Sequence, residues 1–202
     1  MMVPSLIDCA TLCARRSKCV SFFFNLLESL CQFDGKIYVS FDGGSAGFWS
    51  YYELEMTNVA AFKPVTMSSE SNPPAHSPHY AVDDKVVKTI WAQECVHTKG
   101  ELTPWVIIDL EATFDVEYVT LFNRIDEHGD RLRAISVYLG EVSGSFPVLC
   151  GGFDGPGEDA QVVHVVCNEP TSARFVKIQL SNSQTFFYPI TLCEIRVLTF
   201  NA

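Results

Sequence analysis

His97 is followed, after twenty-six residues, by Arg124; Asp126 comes two positions later and Arg131 after four more residues. These types suit recognition better than bond breaking. A guanidinium is a rigid, permanently charged fork of N–H donors, and two of them can bracket neighbouring hydroxyls. A neutral imidazole gives one hydrogen bond and takes another. A carboxylate between two arginines orients and partly neutralises them, because adjacent guanidiniums repel. None of these groups supplies leaving-group chemistry. The chain has no His-Glu-x-x-His and no carboxylate pair in an acid/base context, so no catalysis is expected.

Residues so far apart need a scaffold that brings loops together. From residue 57 onwards the chain reads as almost all β, with β-branched or alternating runs at 106–110, 116–122, 134–139, 162–166, 174–180 and 194–200. Gly151-Gly152, Gly155-Pro156-Gly157 and Asn168-Glu169-Pro170 read as the turns between them. This spacing predicts a sandwich of two antiparallel sheets. Residues 63–105 are irregular and polar, with Pro73, Pro74, Pro78 and the histidines 76 and 79, which read as exposed, lining a pocket being the alternative. Long loops on a rigid sandwich are where binding sites are built. Before residue 57 the pattern differs. Ser5-Leu6-Ile7-Asp8 resembles a capping box, Leu6, Cys9, Ala10 and Cys13 lie at helical spacing, and strand-like runs follow at 20–24, 29–33 and 48–54.

The 202 residues include 48% hydrophobic and 19% charged ones, enough to bury a core. Fourteen basic against twenty-four acidic side chains give a net charge of -10, so nucleic acid and anionic membranes are not expected partners. No apolar run approaches the roughly 20 residues of a bilayer-spanning helix, and no membrane insertion is expected. Eight cysteines fall into two groups: 9, 13, 19 and 31, then 95, 150, 167 and 193. That gap predicts two separately stapled units, 1–56 and 57–202, in an oxidising, extracellular compartment. Met1-Met2-Val3-Pro4 shows no secretion signal, and one is expected either upstream or already removed.

With Cys95, Pro104-Trp105, Asn58-Val59-Ala60, Ala81-Val82-Asp83 and Thr191-Leu192-Cys193-Glu194-Ile195 in register, residues 57–200 resemble the F-type lectin (fucolectin) family. The resemblance implies a mainly β jelly-roll, a discoidin-like antiparallel β-sandwich that recognises terminal L-fucose on glycans, in innate recognition or agglutination. It carries the sugar ligands onto His97, Arg124 and Arg131, with Asp126 as their support. Ile90 and Trp91 stand where the family walls the 6-methyl group. Where many members have two adjacent cysteines, this chain has Glu127-His128. His128 is expected to replace part of that surface by stacking.

The same resemblance implies a structural calcium ion. Its matching positions are the carboxylates of Asp83, Glu94 and Glu194 and the carbonyls of Tyr80, Lys85 and Cys193, a hard oxygen set that suits calcium. Lys85 is expected to lend only its carbonyl, with its ammonium turned away. Within this unit the expected disulfides are Cys95–Cys193 and Cys150–Cys167. Residues 1–56 resemble a small α+β, disulfide-rich PAN/apple-like domain, truncated at its N-terminus, which implies Cys9–Cys31 and Cys13–Cys19. One module binds a monosaccharide weakly, so a homo-oligomer is expected for avidity. The alternative is a discoidin-like adhesion module for protein or phospholipid. It ranks second because lipid-binding relatives use apolar spikes backed by basic residues, and these loops are acidic.

Overall fold

The computed structural model describes residues 1–16, 19, 21–34, 48–86, 94–181 and 187–200. They divide into two units, Met1–Met56 and Thr57–Ala202.

In the first unit the Ser5 hydroxyl accepts a hydrogen bond from the Asp8 N–H at 3.2 Å and starts helix α1, Leu6–Ala14. Three antiparallel strands follow: β1 (Ser21–Asn25), β2 (Leu30–Asp34) and β3 (Trp49–Glu53), in the order β2-β1-β3. Phe22 and Phe24 point inward with Cys9, Cys13 and Cys31, and Phe22 stacks on Tyr52 with ring centroids 5.3 Å apart. So small a core needs cross-links. Cys9–Cys31 ties the helix to β2, and Cys13–Cys19 closes the helix end.

The second unit holds β4 (Thr57–Asn58), β5 (Val65–Met67), β6 (Val96–His97), β7 (Trp105–Phe122), β8 (Ile135–Gly140), β9 (Val148–Phe153), β10 (Val162–Leu180), β11 (Thr191–Leu192) and β12 (Glu194–Thr199). Two long strands organise it. Residues 105–109 of β7 pair with β5 and with residues 175–179 of β10, which continue to β8 and then β9. Residues 118–122 of β7 pair with β12 and with residues 162–166 of β10. Each long strand therefore serves both layers of the sandwich. Val106, Ile108 and Leu110, Val137 and Leu139, Val176 and Ile178, and Ile195 and Val197 fill the core between them, all fully buried.

The sequence reading split both long strands, and the structure corrects this. The chain passes from 106–110 to 116–122 without a turn, bending at Glu111, whose φ is 63°. At this bend Arg174 donates to both carboxylate oxygens of Asp109, at 2.7 and 2.9 Å. Likewise Asn168-Glu169-Pro170 is a register irregularity inside β10; proline lacks the N–H a ladder needs, so pairing lapses there without the strand ending. Gly151-Gly152 is not a turn but part of β9. A Cβ on Gly152 would meet the Ile135 carbonyl oxygen at 2.5 Å, so glycine there serves close approach of the two strands.

Glu194 opposes Phe122, Val162 opposes Phe122, and Ile135 opposes Leu180. These pairings gather the segments after β7, before β8, before β10 and before β12 at one end. Cys95–Cys193 adds the segment before β6 to that end, while Cys150–Cys167 clamps β9 to β10. All four disulfides are the pairs the two resemblances imply. Cys150 and Cys167 are separated by 17 positions in sequence, so replacing both with alanine is expected to lower stability by roughly 3 kcal/mol in the loop-entropy account. Denaturant titration of the doubly substituted protein checks this, and an unchanged midpoint would refute it.

Candidate functional site

His97 sits on β6, which forms a two-residue ladder with β11: His97 opposes Thr191 and Val96 opposes Leu192. Thr98, fully buried, prolongs this clamp. Its N–H donates to the Ile190 carbonyl at 3.1 Å, and its hydroxyl accepts from the Ile190 N–H at 2.9 Å. The imidazole is held by its own neighbour, with Nδ1 2.6 Å from the Thr98 carbonyl oxygen. A carbonyl only accepts, so Nδ1 carries the proton and the neutral ring presents a bare Nε2. Burial lowers the imidazole pKa below 6.5; the bond to Thr98 opposes this, and the charges of His76, Arg131 and Arg124 lower it further. His97, Arg124 and Arg131 are thus within electrostatic reach of one another.

Arg124 directly follows β7 by two residues and is 2% exposed. Its Nε and Nη2 donate to the two carboxylate oxygens of Asp126 at 2.7 and 2.8 Å, a two-point pair of the strong kind. Burial pushes the Asp126 carboxyl up, but the hydrogen bonds from Arg124 and from nearby N–H groups hold it below its usual range. The sequence treats Asp126 as support for both arginines; the structure joins it to Arg124. Arg131 ends a short 3-10 turn, Gly129–Arg131. It is half-buried, and among the described residues its guanidinium has no hydrogen-bonded acceptor.

The loop that carries both arginines is braced from outside. Asn123, 2% exposed, accepts from the Arg124 N–H at 3.0 Å and donates to the carbonyls of Gly129 and Glu158 at 2.9 and 2.8 Å. Asp159 accepts from the Gly129 N–H at 2.6 Å. A Cβ on Gly129 would collide with the backbone of Glu158 and Asp159. Sequence reasoning passed over Asn123, Gly129 and Asp159. Their partners lie some thirty positions away (separations of 30 and 35), so no local spacing marks them.

The remaining predicted positions are distributed differently. His128 takes the left-handed conformation, with φ 61°, and its side chain is 51% exposed, with Nε2 3.7 Å from Glu127 Oε1. Among the described residues no ring contact joins it to His97 or to either arginine. Ile90 and Trp91 lie outside the described residues. Around the expected calcium position, Glu194 and Cys193 are fully buried, Glu94 is half-buried, and Cys95–Cys193 draws these two segments together. Tyr80 belongs to the 3-10 turn Pro78–Ala81. Asp84 has φ 60° and accepts from Arg196 at 3.0 Å. The Lys85 ammonium is not turned away: it lies 4.0 Å from Asp83 Oδ2, drawn by the opposite charge, and the Lys85 backbone N–H donates to Asp83 Oδ1 at 3.3 Å. Among the described residues no three His, Cys, Asp or Glu side chains cluster as metal ligands. Any cation there would depend on the carbonyl oxygens as well.

A two-layer antiparallel sandwich that carries His97, Arg124, Asp126 and Arg131 on segments of one end has a discoidin-like architecture. The F5/8 type C domain model matches residues 64–194, more than half of the chain, and the chain belongs to this family. It is similar to Fucolectin-6 of Anguilla japonica, 27% identical over 119 residues that cover 58% of this chain and 60% of that protein. The match thus spans less than two thirds of that relative. Among solved structures it is similar to the lectin domain of lectinolysin complexed with Lewis b antigen, with TM-score 0.61 and 28% identity, covering 70% of this chain and 95% of that one. A fucose-binding module of Streptococcus pneumoniae matches with TM-score 0.60 and 26% identity, covering 70% and 94%.

The His97 geometry carries a pH dependence. With its pKa lowered by folding, the unfolded chain takes up this proton first, so stability falls as pH drops from about 6.5 towards the lower folded value. The Nε2 acceptor is lost over the same fall. An NMR titration of the His97 ring is expected to give a midpoint below 6.5; a higher one would remove the neutral acceptor.

Proposed function

We propose that the second unit is a lectin, a non-catalytic module whose end pocket takes a terminal L-fucose on glycans. One observation carries this reading. A neutral imidazole with a bare Nε2 stands within electrostatic reach of two guanidiniums, of which one is paired with a carboxylate. Such a pocket offers mainly donors plus a directed acceptor, which matches a neutral ring of hydroxyls better than an anion or a lipid chain. The Nε2 of His97 accepts from the axial 4-hydroxyl, and an equatorial epimer misplaces that bond. The free N–H groups of Arg124 and Arg131 bracket the neighbouring hydroxyl and the ring oxygen. The fucolectin and fucose-binding relatives support the same assignment.

Arg131→Ala is expected to lower affinity for methyl α-L-fucoside at least a hundredfold in titration calorimetry. Because its guanidinium has no bonded acceptor among the described residues, the cost in stability stays within about 0.5 kcal/mol. Unchanged affinity would discard the pocket. Arg124→Ala differs, since it also leaves the Asp126 carboxylate without its counter-ion.

We further propose a structural calcium ion held by the carboxylates of Asp83, Glu94 and Glu194 with the carbonyls of Tyr80, Lys85 and Cys193. Their hard oxygen chemistry and the disulfide beside them support it; the Lys85 ammonium against Asp83 opposes it. On this reading EDTA lowers the melting temperature and weakens fucoside binding, and added calcium restores both. Indifference to the chelator would end the calcium reading and leave the sugar pocket standing. The four disulfides support an extracellular site of action, where several copies together would give the avidity needed for agglutination or innate recognition. The helix, three strands and two bridges of residues 1–56 support a PAN/apple-like reading of that unit.

A further inference from the structure

His76 lies in the irregular polar segment, where the sequence reads it as exposed or as lining the pocket. In the structure it is half-buried, and its ring stands 5.4 Å from that of His97, centroid to centroid, tilted by 33°. Both rings are anchored alike. Nδ1 of His76 is 3.3 Å from the Cys95 carbonyl oxygen, and Nδ1 of His97 is 2.6 Å from that of Thr98. Each neutral ring therefore carries its proton on Nδ1 and keeps Nε2 as a bare acceptor. Both anchoring carbonyls belong to the one segment 95–98, so each ring turns its Nδ1 to that backbone.

The chemistry of the pocket asks for a second acceptor. A sugar hydroxyl that accepts from a guanidinium still has its own O–H to place, and a buried donor left unmade costs affinity. In the reading above the guanidiniums donate to a hydroxyl beside the one that His97 accepts from, and that second hydroxyl has its own O–H to place. Asp126 keeps a lone pair on each oxygen after pairing with Arg124, but it is the ring of His76 that lies against that of His97. His76 is the neighbouring side chain with an acceptor to spare.

We infer that His76 is a second imidazole acceptor of this pocket, so that His76 and His97 together read a pair of hydroxyls on one neutral sugar. The inference rests on the glycan reading above and specifies the ligand further, as a ring bearing two adjacent hydroxyls with free protons.

Calorimetric titration of methyl α-L-fucoside and its 2-, 3- and 4-deoxy derivatives tests this on the full chain. His76→Phe keeps a ring but removes the acceptor, and is expected to weaken binding roughly 3- to 15-fold, the worth of one hydrogen bond. His76→Gln keeps an acceptor and is expected to retain most of the affinity. One deoxy derivative that binds the wild type poorly is expected to bind His76→Phe with no further loss, which identifies the hydroxyl accepted. If phenylalanine does not fit, His76→Ala serves for the same comparison. Wild-type affinity in His76→Phe, or identical deoxy penalties in wild type and variant, would overturn this inference alone. A wild-type protein that binds no fucoside would overturn the glycan reading and this one with it.

Discussion

The two-point pair between Arg124 and Asp126 sets a buried guanidinium beside its own counter-ion, and the other features of the pocket follow from keeping it there. A second guanidinium, Arg131, can approach only if the first is neutralised, since unscreened like charges repel strongly in a partly buried site. The His97 imidazole, which feels both guanidiniums, is held neutral for the same reason. Burial and both arginines favour its neutral form, and the Thr98 carbonyl settles which nitrogen is bare. Charge balance and tautomer are thus two consequences of one constraint.

Holding that arrangement requires backbone from distant parts of the chain. Asn123 reaches residue 158, Asp159 reaches residue 129, and Cys95 is bonded to Cys193. Side-chain positions in the pocket are therefore set by the closed end of the sandwich, not by any single loop. This is the usual division of labour between a rigid scaffold and the loops it displays. It also separates the two arginines in kind: one is part of the folded frame, the other is presented by it.

The chain is acidic as a whole, with a net charge of -10, while its candidate pocket gathers guanidiniums and imidazoles. An acidic exterior repels phosphate-rich surfaces at long range, whereas a neutral glycan approaches without that penalty.

Much of this was readable from residues alone. The alternation of apolar residues declared the strands, the cysteine grouping marked two clusters of staples, and the His97, Arg124, Asp126 and Arg131 spacing singled out the loops at one end. Those signals are local or are carried by residue type. What remained hidden was non-local: that 106–110 and 116–122 form one bent strand shared by both layers, that Asp126 belongs to Arg124, and that Lys85 turns towards Asp83. Asn123, Asp159 and His76 gain their importance from partners 19 to 35 positions away. Sequence therefore determined which chemistry the protein carries. Only tertiary packing decided which of those groups are buried, paired or left open, because hydrogen-bond partners and desolvation exist only once distant segments meet.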